Sequence, residues 1–255
     1  MKISLLASGS KGNSCYVETS VGEFLIDVGM HCSYIEDKLN SIDKSAKNIN
    51  AVFITHTHID HIEGLKSFVK KYNTLIYVTE KIYQELKNIV PSDNYVILDK
   101  KLIIDNLTIS TIKTSHDTED SVGYIFEDGN HSFVYITDTG YINIKNHNKL
   151  RNKNLYILES NHDIDKLMNN PKYPYYLKQR ILGDKGHLSN ADSSYYLSQF
   201  IGDATKCVIL AHLSEHNNTP ELALQTLMDT LKNNNKNCNK IIVAAQNERT
   251  ELVEV

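Results

Sequence analysis

The segment ITHTHIDHIEGL, residues 54–65, sets His56, His58, Asp60 and His61 within six positions. Borderline divalent cations such as zinc and manganese take imidazole nitrogens and carboxylate oxygens as ligands. Four such side chains crowded after an apolar run are costly to bury unless something satisfies them, and a metal pair does so directly. His31, His131, His147 and His216 stand singly and read as ordinary surface or core histidines. The crowded segment therefore reads as a metal-binding turn.

The elements that would position it follow from periodicity. Ala51-Val52-Phe53-Ile54 reads as a short buried strand, and Ile59, Ile62, Leu65 and Phe68 continue with helical spacing. Two ions need more ligands than one turn supplies, and other apolar runs end in suitable residues. Residues 107–112 lead into Thr114-Ser115-His116-Asp117, residues 133–136 into Thr137-Asp138-Thr139-Gly140, and residues 207–211 into His212-Leu213-Ser214. Side chains at the ends of neighbouring strands can converge on one mouth of a sheet.

THTHIDH, followed by His116, Asp138 and His212 in that order, resembles the metallo-β-lactamase fold hydrolases. More narrowly, MKISLLASGSKGNSCYVE, FLIDVGM, VGYIF, TDTG, ILESNHD, YPYYLKQRILGDKGHLSN and LAHLSEHNNTPELA are similar to the YycJ/WalJ group of small bacterial nucleases, from residue 3 to about residue 223. The resemblance implies an α/β fold of αββα four-layer sandwich type with two pseudo-symmetric halves. It also implies two divalent ions, zinc or manganese, one on His56, His58 and His116 and the other on Asp60, His61 and His212, with Asp138 bridging. Class B β-lactamases commonly carry a cysteine at the Asp138 position, so the aspartate favours a phosphoesterase or thioester hydrolase. The activity implied is a DNA exonuclease serving repair or processing, with RNA a further candidate substrate. Two cations about 3.5–4 Å apart activate water and clamp the attacking and leaving oxygens of a phosphodiester. Asp60 could also accept a hydrogen bond from the nucleophile.

His187, in Gly186-His187-Leu188-Ser189, precedes an expected helix that Ser189 or Asn190 can cap, with Asp192 in its first turn and Tyr196, Leu197 and Phe200 along one side. Similar Gly-His-Ser/Thr segments in RNase Z and its relatives serve the scissile phosphate, paired with an upstream glutamate that Glu159 resembles. A helix start also presents free amides to anions, which makes Ser189 a candidate phosphate contact. The apolar run 155–158 would deliver His162 to the same mouth for substrate contact or support. Ser8, Ser10 and Asn13, in a glycine-containing turn after the strand over residues 3–7, are expected to border the metals and contact the phosphate backbone; no Gly-Lys-Ser/Thr closes this turn as in a P-loop. Gly129, in Glu127-Asp128-Gly129-Asn130, marks a hairpin.

At 255 residues with no Pro/Ser/Gly-rich linker, the chain reads as one domain over residues 1–255, its elements falling into two series about residue 125. The net charge of −4 does not by itself announce a polyanion partner. The distribution says more: Lys145, Lys149, Arg151 and Lys153 form an acid-free stretch, and Lys172, Tyr173, Tyr175, Tyr176, Lys178, Arg180 and Lys185 interleave cations with aromatics. Cations can follow phosphates and tyrosines can stack bases, so Lys178 and Arg180 are candidate strand contacts; inward-packed tyrosines on a solvated loop are the alternative. The apolar stretch after Lys2 stops at Ala7, too short for an export signal, and no run approaches a membrane span. Four cysteines lack Cys-x-x-Cys spacing and read as reduced thiols of a cytoplasmic protein. Two other chemistries would use the same ligands: a small-molecule or cyclic-nucleotide phosphodiesterase, which has no need of the basic-aromatic stretch, and a thioester hydrolase of the glyoxalase II type, which has no use for the Glu159/His187 pair.

Overall fold

The computed structural model describes residues 1–255. Fourteen strands form two seven-stranded sheets. The first contains β1 (Lys2–Ala7), β2 (Ser14–Thr19), β3 (Gly22–Ile26), β4 (Ile49–Phe53), β5 (Leu75–Val78) and β6 (Tyr95–Ile97) in sequential order, with β14 (Val253–Glu254) closing its other edge beside β1. The second runs from β7 (Lys101–Ile104) through β8 (Leu107–Lys113), β9 (Val122–Asp128), β10 (His131–Ile136), β11 (Leu155–Glu159) and β12 (Cys207–Ala211) to β13 (Ile241–Val243). Each half is an antiparallel meander, β1 to β3 or β7 to β10, continued by three parallel strands. The division falls between β6 and β7 rather than about residue 125, because β7, β8 and β9 belong to the same sheet as β10.

Helices supply the outer layers: α1 (Cys32–Asn40), α2 (Ile59–Ile62), α3 (Leu65–Tyr72) and α4 (Glu80–Leu86) in the first half, then α5 (Ile144–Leu150), α6 (Ile164–Asn169), α7 (Tyr175–Leu182), α8 (Asn190–Phe200) and α9 (Pro220–Asn233). Alternation along the strands builds two cores. Phe133, Tyr135, Leu155, Ile157 and Ile209 face the other sheet, while Val134, Ile136, Tyr156, Leu158, Val208 and Leu210 face the helices. Strands buried on both faces read as continuous apolar runs, as these do. Between the sheets Phe53 meets Phe24 and Phe126 edge-on at 5.7 and 5.5 Å, and Phe126 stacks on Phe133 at 4.8 Å. This aromatic seam joins β3 and β4 to β9 and β10.

The spacing from Ile59 to Phe68 does not make one helix. It breaks after α2, where Gly64 N donates to Val28 O at 2.9 Å, and Ile59 is exposed rather than part of the buried stripe. No helix is long and apolar enough to cross a membrane, and all four cysteines are free.

Candidate metal centre

Parallel register brings the strand ends together. Ile136, Leu158 and Leu210 are aligned neighbours across β10, β11 and β12, so Asp138, Glu159 and His212 emerge side by side. In the first sheet Ile26 aligns with Phe53, which sets Asp27 beside the start of the histidine turn. Asp27, Asp138 and His212 have φ of 60°, 53° and 57°. Asp and His tolerate this left-handed conformation better than most residues, at a cost of about 1–3 kcal/mol. One such residue after a strand turns the chain sharply while keeping its side chain at the mouth.

The donor atoms fall into overlapping groups, each within 4.8 Å: His56, His58 and His116; Asp60, His61 and His212; and His56, His61 and Asp138. His56 Nδ1 lies 3.0 Å from Thr55 Oγ1 and His116 Nδ1 lies 3.3 Å from the Gly186 carbonyl, leaving their Nε2 atoms for the centre. His58 presents Nδ1, 3.2 Å from His116 Nε2. His61 Nδ1 is held by Asp27 Oδ2 at 2.7 Å and His212 Nδ1 by Glu159 Oε1 at 2.7 Å. The buried His56 Nε2, His212 Nε2 and Asp138 Oδ2 have no hydrogen-bond partner, although Asp138 Oδ2 sits 3.1 Å from His61 Nε2. Nitrogens facing nitrogens, with orphaned acceptors converging between them, are a costly arrangement in a protein interior that divalent cations resolve. The donor set suits divalent metal ions.

Electrostatics divides the donors: burial opposes charge on His61 and His212, but Asp27 and Asp138 around His61, and Asp138, Asp60 and Glu159 around His212, outweigh it and raise both well above the ordinary histidine range. Burial, reinforced by neighbouring imidazoles, pushes His56 well below the ordinary histidine range, and burial also lowers His116; ligation requires such neutral rings. Burial opposes charge on His187 as well, but the Glu159 carboxylate outweighs it and the imidazole titrates above its usual value. Glu159 is fully buried; burial disfavours its ionisation, yet the charges and hydrogen bonds of His187 and His212 hold it down at about 2. Its Oε1 accepts from His187 Nδ1 at 2.8 Å as well as from His212, and its Oε2 from the amides of Thr139 and Leu188 at 3.1 and 3.2 Å.

His58, Asp60, His116, Asp138, His187 and His212 line a cleft of about 310 Å³, together with Ser10, Tyr173, Arg180 and Lys185. The other expected contacts lie behind it or turn away. Ser8 Oγ accepts from His212 N at 2.8 Å and pins that backbone. Asn13 is buried, with Nδ2 3.2 Å from Asp60 Oδ2 and 3.0 Å from His61 Nε2. Gly29 lets this loop close, since a Cβ there would collide with the Asp60 carbonyl. Ser189 Oγ is occupied as the α8 cap, accepting from Asp192 N at 3.1 Å. His162 is buried away from the cleft wall, and burial lowers it to about 4. Lys178 donates to Met168 O at 2.6 Å and does not line the cleft, whereas Arg180 does but is paired with Asp117. Tyr175 and Tyr176 are 69% and 75% exposed on α7, so they do not pack inward. Asp27 and Thr55, which lie within the FLIDVGM and THTHIDH segments, are supporting residues to which those motifs alone assign no role. A signal exists for one of them, because Asp27 directly follows the apolar end of β3, as the other acids follow theirs.

A two-sheet sandwich with this histidine and carboxylate cluster at one edge defines a metallohydrolase architecture, and the chain belongs to the beta-lactamase superfamily, whose domain matches residues 24–212. It is 36% identical to exodeoxyribonuclease WalJ of Streptococcus pneumoniae serotype 2 over 237 residues, covering 90% of this chain and 88% of that protein. It is 33% identical to exodeoxyribonuclease YycJ of Bacillus anthracis over 238 residues, 91% of this chain and 89% of the relative. In fold it superposes on the metallo-beta-lactamase fold protein YhfI from Bacillus subtilis with a TM-score of 0.70 at 16% identity, covering 98% of each chain.

Proposed function

We propose that the protein is a metal-dependent DNA exonuclease holding two divalent ions, zinc or manganese. His56, His58 and His116 would hold one ion and Asp60, His61 and His212 the other, with Asp138 available to both. The observation that carries the reading is the convergence of these seven side chains with His56 Nε2, His212 Nε2 and Asp138 Oδ2 left without hydrogen-bond partners. The relatives named exodeoxyribonuclease support DNA as the substrate.

Bound there, two cations supply Lewis acidity that makes water a nucleophile near neutral pH and stabilises charge on a phosphate. The chain's own residues do the rest. Asn13 holds the Asp60 carboxylate through its Nδ2, so the free face of that carboxylate is fixed toward the cleft. Glu159 fixes Nδ1–H of His187, which leaves Nε2–H to donate to a phosphate oxygen or to the departing oxygen. Burial opposes charge on that ring, but Glu159 raises its proton affinity and so favours the charged donor. Donors aimed at developing charge contribute on the order of 10²–10³ in turnover. Glu159 is a positioning residue in this reading: saturated by four donors, it has no face left for substrate. Ser10 and Arg180 border the phosphate from the cleft wall; Ser8, Asn13, Ser189 and His162 support the wall from behind.

The test is incubation of purified protein, loaded with Mn²⁺ or Zn²⁺, with end-labelled DNA, end-labelled RNA and a chromogenic phosphodiester. Progressive loss of nucleotides from DNA ends is the expected result. Hydrolysis of the small diester with intact DNA would contradict the nuclease reading and leave a small-molecule phosphodiesterase.

A further inference from the structure

A second cavity, of about 430 Å³, adjoins the metal cleft, and the two share His116 and Lys185 in their walls. It lies between the loop joining β8 to β9 and the segment from Tyr141 to Asn146 that leads into α5. Its floor is rigidly tied. Gly140 N donates to Ser115 O and Ser115 N to Thr139 Oγ1, both at 3.0 Å. The chain carrying Lys185 rests directly on this turn, since a Cβ on Gly140 would collide with the Asp184 carbonyl.

The chemistry of the lining is cationic and polar. Lys113, Lys145 and Lys185 line it, with Glu119 as the one acid in the wall. Lys113 is occupied by Asp120, whereas Lys145 and Lys185 belong to none of the ion pairs made by lysine or arginine. Other cations in or near the metal cleft are engaged: Arg180 with Asp117, Lys178 with the Met168 carbonyl, and Lys11 with Glu215 at 2.9 Å. Among the lysines and arginines that line the two cavities, Arg180 and Lys113 are paired, and the uncompensated ones are Lys145 and Lys185. A polyanion whose phosphate is drawn to the metal cleft is stabilised most where such charge continues.

We propose that this cavity is a second phosphate subsite, in which Lys145 and Lys185 hold the backbone phosphate of a DNA strand next to the one being cleaved, with the strand crossing from one cavity to the other over Lys185. The proposal rests on the nuclease reading and adds the course of the strand. It moves the principal strand contact away from Lys178 on α7. Tyr141, 40% exposed on the same wall, is placed to stack on the adjoining base.

Binding of a fluorescent, hydrolysis-resistant phosphorothioate single strand to Mn²⁺-loaded protein, measured across a range of salt concentrations, tests the subsite. Lys145→Glu should weaken binding several-fold and flatten the log–log salt dependence by about 0.7, the share of one neutralised phosphate. Lys47→Glu, which makes the same charge change near the opposite end of β4, should keep the parent slope. Equal slopes in parent and Lys145→Glu, or equal flattening in both variants, would overturn the subsite. Failure of the nuclease reading is seen separately, as unmodified DNA left intact by the metal-loaded parent protein.

Discussion

The two proposed ion positions are built on different supports. His61 and His212 are buried, and each is anchored by a buried carboxylate, Asp27 or Glu159, at 2.7 Å. His56 and His116 lean instead on neutral groups, Thr55 Oγ1 and the Gly186 carbonyl, and His58 is partly exposed, with Asp117 3.4 Å from its Nε2. A carboxylate behind an imidazole fixes its tautomer and raises its basicity, so the Asp60, His61, His212 position should bind its ion more tightly. At the other position His56 and His116 have no carboxylate on their Nδ1 atoms. The asymmetry predicts that an ion at the first position would be held more firmly and an ion at the second would exchange more readily.

The largest effect expected is that of Asp138→Ala, which removes the ligand proposed to be common to both positions. Nuclease activity should fall to background, and metal content by mass spectrometry should drop well below two ions per chain; full occupancy in this variant would remove the bridging role. His187→Ala comes next. It should lower turnover on the order of 10²–10³-fold with both ions retained, and loss of metal instead would make His187 a ligand.

Glu159→Gln and Asp27→Asn sharpen the contrast directly. Each should weaken only the ion at Asp60, His61 and His212, by about 10–100-fold in affinity, while Glu159→Gln alone should also slow turnover through His187. Competition titrations with a chromophoric chelator would show one binding step shifted and the other unmoved. Equal weakening of both steps would erase the distinction drawn between the two supports. In the parent protein the same titration should remove the ion at His56, His58 and His116 first. The smallest effect belongs to Lys178→Ala, whose side chain turns away from the cleft: the Michaelis constant for DNA should change less than about threefold, within what a single exposed charge contributes.

How much of this is legible in the sequence follows from the same contrast. The cluster from His56 to His61 is local, so its spacing alone announces it. Asp138 and His212 can be found because each lies within two residues of the end of an apolar strand, and their grouping comes with the family resemblance. The supporting residues are harder to find. Asp27 obeys the same strand-end rule, but a single acid carries no spacing signal, and its pairing with His61 depends on the register of β3 against β4. Glu159 is recognisable as the partner of His187, yet its bond to His212 exists only because β11 and β12 are aligned neighbours. The basic-aromatic stretch from Lys172 to Lys185 shows the limit of composition. Helix α7 and the ion pair to Asp117 decide which of its cations face the cleft, and neither is visible as a pattern of charges. The break at Gly64 is likewise tertiary, set by the chain around Val28 and Met30 packing against it.

The proposed two-ion centre would draw its ligands from both halves of the sandwich. Anomalous diffraction from crystals grown with Mn²⁺ or Zn²⁺ tests it most directly. Two peaks per chain are predicted, one among His56, His58 and His116 and the other among Asp60, His61 and His212, with Asp138 reaching both. A single peak, or an ion ligated by His187 in place of His212, would contradict it.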